Sequence, residues 1–142
     1  MLIGSYQHNL DAKGRLFIPA KWREDLGDTF IVTRGISGCF LMGMPLGEWK
    51  NISEKLSQIA YSNKSGQAVS RAIHAAATDV EIDKQGRILL NQRLRDIAKL
   101  GDAGVLIGKT THIEIWNADI IEQLESEENF EKAMEAFEEF GI

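Results

Sequence analysis

Asp11-Ala12-Lys13-Gly14-Arg15 and, 72 positions later, Asp83-Lys84-Gln85-Gly86-Arg87 decide how this chain is read. Each copy lies between apolar runs, Leu10 and Leu16-Phe17-Ile18 around the first, Ile82 and Ile88-Leu89-Leu90 around the second. The pattern predicts the tip of a β-hairpin in both places. Asp folds its carboxylate back onto the turn, and Gly14 and Gly86 supply the positive φ that such a loop requires. What is left to point outward is cationic: Lys13 and Arg15 in one copy, Lys84 and Arg87 in the other. A stiff turn that holds a guanidinium at a fixed place suits a phosphate or a guanine edge. One copy alone would be an ordinary hairpin with solvated charges; two copies with the same sign at the same position imply a shared task.

Working outward, residues 2–10 read as a strand entering the first turn and residues 16–18 as the strand leaving it. Pro19 ends that strand and suits the start of a short helix over residues 20–26, closed by Gly27. Residues 30–33 and 39–42 form two more strands, joined at Gly35-Ile36-Ser37-Gly38. From Val80 the order returns, with strands over 80–82 and 88–90. Asn91 stands where Pro19 stood and N-caps a helix over 92–100, which Gly101 closes. Strands over 105–107 and 112–116 complete the second set. Two matched units make an internal duplication and give an α+β class.

Four segments follow: a first unit over 1–46, linker helices over 47–78, a second unit over 79–116, and acidic amphipathic helices over 117–142. Trp49, Ile52, Leu56, Ile59 and Ala60 keep helical spacing, as do Val69, Ala72, Ile73, Ala76 and Ala77, with Ser62-Asn63-Lys64-Ser65-Gly66 as the break. Asn117 caps a helix bearing Ile120, Ile121 and Leu124. After it, Phe130, Ala133, Met134, Phe137 and Phe140 share one face. Helices this short are marginal alone, so that face is expected to cover the body or a neighbouring subunit.

The net charge of −5 over 142 residues argues at first against nucleic acid, but the charge is unevenly distributed. Residues 117–142 hold nine acids against the one base Lys132, a net −8, which leaves 15 bases and 12 acids, a net +3, in residues 1–116. A mildly basic body therefore carries an acidic appendage. Apolar residues at 44% and charged ones at 26% are ordinary for a soluble protein. No apolar run reaches the ~18 residues of a membrane span, and Met1-Leu2-Ile3-Gly4-Ser5 lacks the layout of a signal peptide. A single Cys39 fits a reducing cytosol, so a cytoplasmic protein is expected.

Enzymatic and metal chemistry find no residue set. His8, His74 and His112 are far apart without ligand spacing, Cys39 has no Cys partner, and no nucleophile triad or phosphate-cradling Gly loop occurs. No cofactor, metal, membrane or small-molecule substrate is expected. Trp22, Trp49 and Trp116 read as core or interface anchors. Lys21 and Arg23, on the short helix beside the first turn, are candidate phosphate contacts, and Arg93 and Arg95 match them in the second unit. Arg15 and Arg87 are the better candidates for base contact, since a bidentate Arg–guanine pair discriminates by ~1–3 kcal/mol.

The opening Gly4-Ser5-Tyr6-Gln7-His8-Asn9-Leu10-Asp11-Ala12-Lys13-Gly14-Arg15-Leu16-Phe17-Ile18-Pro19 resembles the start of the MraZ family of bacterial transcriptional regulators. The second motif with Ile88 and the later Ile113-Glu114-Ile115-Trp116 do so as well. The resemblance runs over essentially the whole chain. It implies two AbrB-type swapped-hairpin units in one pseudo-symmetric body, assembled as a homo-oligomeric ring at the nucleoid. It further implies binding to repeated promoter elements of double-stranded DNA upstream of division and cell-wall genes, mostly as a repressor. The family's motif Asp and Arg carry over onto Asp11 and Arg15, and onto Asp83 and Arg87. Asn91 departs from the Pro expected there, and Thr110-Thr111-His112 from the family's turn of a small residue, Asn and Arg. The competing expectation is an antitoxin-like or scaffold protein that uses the same fold for protein–protein contact.

Overall fold

The computed structural model describes residues 1–141. Along the chain run β1 (Ser5–Asn9), β2 (Arg15–Phe17), α1 (Ala20–Leu26), β3 (Thr29–Arg34) and β4 (Phe40–Met44). The linker helices are α2 (Leu46–Ser57) and α3 (Lys64–Ala76). The second unit repeats the first as β5 (Thr78–Glu81), β6 (Arg87–Leu89), α4 (Gln92–Ile97), β7 (Ala103–Gly108) and β8 (Ile113–Asn117). Helices α5 (Ala118–Leu124) and α6 (Glu127–Phe137) end the chain's regular structure, with a 3-10 turn at Glu138–Phe140.

Six strands form one antiparallel sheet in the order β1-β7-β8-β4-β3-β5, and β2 and β6 form a separate two-stranded ribbon. Replacing each strand by its counterpart in the other unit turns the six-strand order into its own reverse. The two units are thus related by a pseudo-two-fold that passes between β4 and β8 and between β2 and β6. Strand β1 pairs with β7 (Gln7 opposite Val105), and β5 reciprocates on β3 (Asp79 opposite Ile31).

This pairing corrects the simple hairpin expectation. The strands on either side of each motif do not run together. In the first unit only Leu10 bridges Leu16, and the Asp11 N–H reaches the Arg15 carbonyl at 3.2 Å before the chain parts. The reason lies in the short second strands. Leu16, Ile18, Ile88 and Leu90 are all fully buried and need cover that their own unit does not supply. Each pair finds it in the other: β2 aligns on β6 with Leu16 opposite Ile88. The Ile18 N–H donates to the Gly86 carbonyl (2.8 Å) and the Leu90 N–H to the Gly14 carbonyl (2.9 Å).

One apolar core joins both units: Leu16, Ile18, Trp22 and Phe30 pack with Ile88, Leu90, Leu94 and Leu106. Burying each such side chain contributes roughly 1.5–3 kcal/mol. Strand alternation sends Ile31, Phe40, Met42 and Trp116 to a second cluster, where the Phe40 and Trp116 rings stack at 4.6 Å. Trp49 and Ile52 of α2 only partly cover that cluster.

Helix ends follow local chemistry with two exceptions. Gly27 stops α1 at φ +85, its N–H on the Arg23 carbonyl. Asn91 caps α4 through the Leu94 N–H, Asn117 caps α5, and Ser126 caps α6. Helix α4, however, ends at Ile97, and Lys99 rather than Gly101 takes the left-handed conformation, at φ +53. Asn117 holds that corner by donating from Nδ2 to the Lys99 carbonyl (2.7 Å). The break between the linker helices is also shorter than its composition implies. Asn63 accepts the Gly66 N–H, so Lys64, Ser65 and Gly66 form the first turn of α3. Among the described residues, no helix is long and apolar enough to cross a membrane.

Candidate nucleic-acid interface

The two motif turns are built alike. Asp11 Oδ1 accepts the N–H groups of Lys13 (3.0 Å) and Arg15 (2.9 Å), and Asp83 Oδ1 accepts those of Gln85 (2.8 Å) and Arg87 (3.0 Å). Gly14 and Gly86 turn the chain at φ +88 and +82, each donating its N–H to the motif Asp carbonyl. The second carboxylate oxygen takes the arginine: Arg15 Nε lies 2.6 Å from Asp11 Oδ2, and Arg87 Nε lies 3.1 Å from Asp83 Oδ2. The Arg15 backbone N–H, ahead of the Arg15 and Lys13 contacts, holds the Asp11 carboxyl at about 2 despite some opposing desolvation. Asp83 is lowered in the same way, chiefly by the Arg87 backbone N–H. Both aspartates are therefore ionised at neutral pH and occupied by their own loops.

Both arginines are ion-paired within their turns, which alone would suit a structural role. The pairing goes through Nε. That leaves the terminal fork, Nη1 and Nη2, without a hydrogen-bond partner among the described residues. The nearest further approach is Arg87 Nη1 to Asp11 Oδ2, at 3.9 Å. About a third of the Arg15 side chain is exposed, and slightly less of Arg87. An exposed pair of this kind contributes little to stability, so its consequence is orientation.

The ribbon register brings the two arginines together. Arg15 stands opposite Leu89 and Phe17 opposite Arg87, so all four point outward while Leu16 and Ile88 point inward. The expected pair of separate tips is thus one surface shared by both units. The B-DNA major groove, ~12 Å wide, admits a two-stranded β-ribbon.

The remaining cations divide into free and engaged. Lys13, Lys84 and Lys21 are exposed, with no ion-pair partner among the described residues. Arg23 donates from Nε (3.0 Å) and Nη2 (2.9 Å) to the Ile18 carbonyl and lies 4.8 Å over the Phe17 ring. Its Nη1 has no hydrogen-bond partner among the described residues. Arg95 likewise donates from Nε to the Leu90 carbonyl (3.0 Å), and Arg93 from Nη1 to the Ala75 carbonyl (3.1 Å). The helix arginines also cover the opposite turn. A Cβ added at Gly86 would sit 2.5 Å from Arg23 Cζ, and one added at Gly14 would sit 2.7 Å from Arg95 Nε. Glycine is needed at both places for its missing side chain as well as its φ.

Sequence reasoning missed this reciprocal clamp and the outward position of Phe17 and Leu89. The signals were present: Arg23 and Arg95 each follow their motif arginine by eight positions, and alternation across residues 15–18 and 87–90 separates outward from inward. Two surface hollows lie beside β1, β7 and α5, lined by residues that include Gln7, Asp102, Asn117 and Asp119. Among the described residues, no group of three or more His, Cys, Asp or Glu could hold a metal ion.

Comparison with known proteins agrees with the duplicated architecture. A family model described as "MraZ protein, putative antitoxin-like" matches twice, at residues 1–72 and 73–140. The chain is 41% identical to the protein named Transcriptional regulator MraZ of Caldanaerobacter subterraneus subsp. tengcongensis, and 42% identical to that of Pediococcus pentosaceus. Both alignments cover the whole of each chain. It is 45% identical to the Limosilactobacillus reuteri protein of the same name, over 95% of this chain and 96% of that one.

Proposed function

The chain belongs to the MraZ family, and from that membership we propose that it is a sequence-specific DNA-binding transcriptional regulator whose reading head is the β2–β6 ribbon. The observation that carries this is that Arg15 and Arg87 share one outward face, with terminal forks that make no hydrogen bond to the described residues. Each fork can take the O6 and N7 acceptors of a guanine in the major groove. Asp11, Gly14, Asp83 and Gly86 set the turns that aim them. Lys13, Lys84 and Lys21 contact phosphates, and Arg23 offers its free Nη1 while clamping the ribbon. Phosphate contacts add affinity and salt dependence but no sequence information.

One chain has few such contacts, so specific binding comes from several copies. We propose a ring of subunits, each facing one of a set of direct repeats in a promoter. Effective concentration then multiplies weak single contacts. Occlusion of the promoter makes the protein a repressor of division and cell-wall genes, acting in the cytoplasm at the nucleoid. Subunit contact is assigned to the C-terminal segment, where Phe130, Met134 and Phe137 of α6 and Phe140 of the 3-10 turn remain exposed.

A gel shift on the chain's own upstream DNA tests the reading head. Arg15→Ala is expected to abolish specific binding with the assembly mass unchanged, and unchanged affinity would remove Arg15 from the site. Truncation after Trp116 tests the assembly: light scattering should register a smaller particle, and an unaltered mass would clear the tail of that role. The antitoxin-like or scaffold reading is favoured by the exposed α6 face. A shallow salt dependence with no preferred sequence would select it over the regulator.

A further inference from the structure

We infer that the ribbon reads thymine as well as guanine: Phe17 and Leu89 meet the C5-methyl groups of thymines beside the bases faced by Arg87 and Arg15. This deepens the proposed function and rests on the ribbon being the DNA-reading face. Its four outward positions hold two arginines on one diagonal and two apolar side chains on the other. An ordinary solvent-facing strand position would be polar. Here Phe17 is 36% and Leu89 56% exposed, while their neighbours Leu16 and Ile88 are at 0% and 1%.

The chemistry of the partner follows from the mixture. A phosphate surface would favour cations throughout, and an apolar subunit contact would bury two charged forks at high desolvation cost. The major groove alone offers guanine acceptors and thymine methyls side by side. Cross-strand neighbours have Cβ atoms ~5 Å apart, so an Arg and its apolar partner reach bases on adjacent steps.

The two apolar positions are not equal. Phe17 is fixed between the Arg23 guanidinium at 4.8 Å and the His8 ring at 5.1 Å. Leu89 is the more exposed of the two, at 56% against 36%, and as an aliphatic side chain it can make neither kind of ring contact. A side chain already fixed loses less freedom on contact. The half-site read by Phe17 therefore discriminates more strongly than the one read by Leu89.

The test uses the full chain and its own upstream duplex, made either with thymine or with uracil, which lacks only the methyl. The wild type should bind the uracil duplex about four-fold more weakly for each thymine methyl that the ribbon touches, the equivalent of one buried CH2. Phe17→Ser should erase more of the thymine-over-uracil ratio than Leu89→Ser. If the wild type binds both duplexes equally while Arg15→Ala still abolishes binding, thymine reading is overturned and the DNA-reading ribbon stands. If neither duplex is bound with any sequence preference, both fall. If Phe17→Ser changes the assembly mass by light scattering, the apolar diagonal is a subunit contact and the inference is overturned.

Discussion

Around Asp11 one carboxylate oxygen gathers two guanidiniums, Arg15 at 2.6 Å and Arg87 at 3.9 Å; Asp83 pairs, among the described residues, with Arg87 alone, at 3.1 Å. Over the second turn Arg23 makes two bonds to the Ile18 carbonyl and lies over an aromatic ring. Over the first, Arg95 makes one bond to Leu90 and covers no described ring. The backbone hydrogen bonds of the two turns match, but the surrounding side chains do not. Duplication has preserved what fixes the loop and relaxed what supports the ribbon, leaving the first turn to organise both arginines.

The sharpest way to break the comparison is at the glycines. A Cβ at Gly14 would lie 2.6 Å from the Leu90 carbonyl, a backbone atom that cannot swing aside, whereas at Gly86 the nearest atoms all belong to the Arg23 side chain. Left-handed backbone costs a non-glycine about 1–2 kcal/mol at either site. At Gly14 the hydrogen bond from Leu90 is lost as well, roughly another 1 kcal/mol. Gly14→Ala is expected to lower unfolding free energy by about 2–3 kcal/mol, and Gly86→Ala by about 1–2 kcal/mol, measured in urea. Equal losses would mean that the Arg23 clamp is as rigid as backbone.

The aspartates give a smaller contrast. Asp11→Asn should weaken specific DNA binding by about tenfold or more, because Arg15 Nε loses its carboxylate and Arg87 Nη1 its nearest opposite charge, while Asp83→Asn, which releases Arg87 alone, should cost a few-fold. Fluorescence anisotropy with one duplex measures both, and the reverse order would show that the 3.9 Å approach has no consequence.

Acid titration gives the smallest contrast. Asp11 is held at about 2, below its ordinary 3.8, so its stabilising effect is complete above about pH 4 and disappears as pH falls through 2. Carboxyl resonances followed by NMR should show both Asp11 and Asp83 protonating below the ordinary carboxylate range as acid is added. In Asp11→Asn the loss of stability between about pH 4 and 2 should flatten.

Much of this was legible because it is local. Asp-x-x-Gly-Arg fixes its own turn, and Pro19 with Gly27 delimits α1 to the residue, since neither signal depends on distant chain. Asn91 was recognisable as a cap for the same reason. Pairing was not legible in the residues themselves; the swapped-hairpin expectation came only with the family resemblance. A strand of three residues such as Arg15–Phe17 carries no address, and only burial across the whole molecule selects β6 over β1 as its neighbour. The helix arginines hid differently: a charge on a short surface helix looks alike whether it faces solvent or the Ile18 carbonyl. At Lys99 the sequence pointed to the wrong residue, because Gly101 is the better left-handed former and the deciding contact comes from Asn117.

The reciprocal pairing of β1 with β7 also governs the order in which the protein can be made. Asn9 leaves the ribosome 94 residues before Ala103, its partner in the sheet, which at ordinary elongation rates is a wait of about 5–20 s. Leu16 and Ile18 likewise have no lid until Ile88 follows, 72 residues after Leu16, so the nascent first half stays open through most of that interval. Completion is therefore a single late event, in which the second half arrives as the template that closes the first.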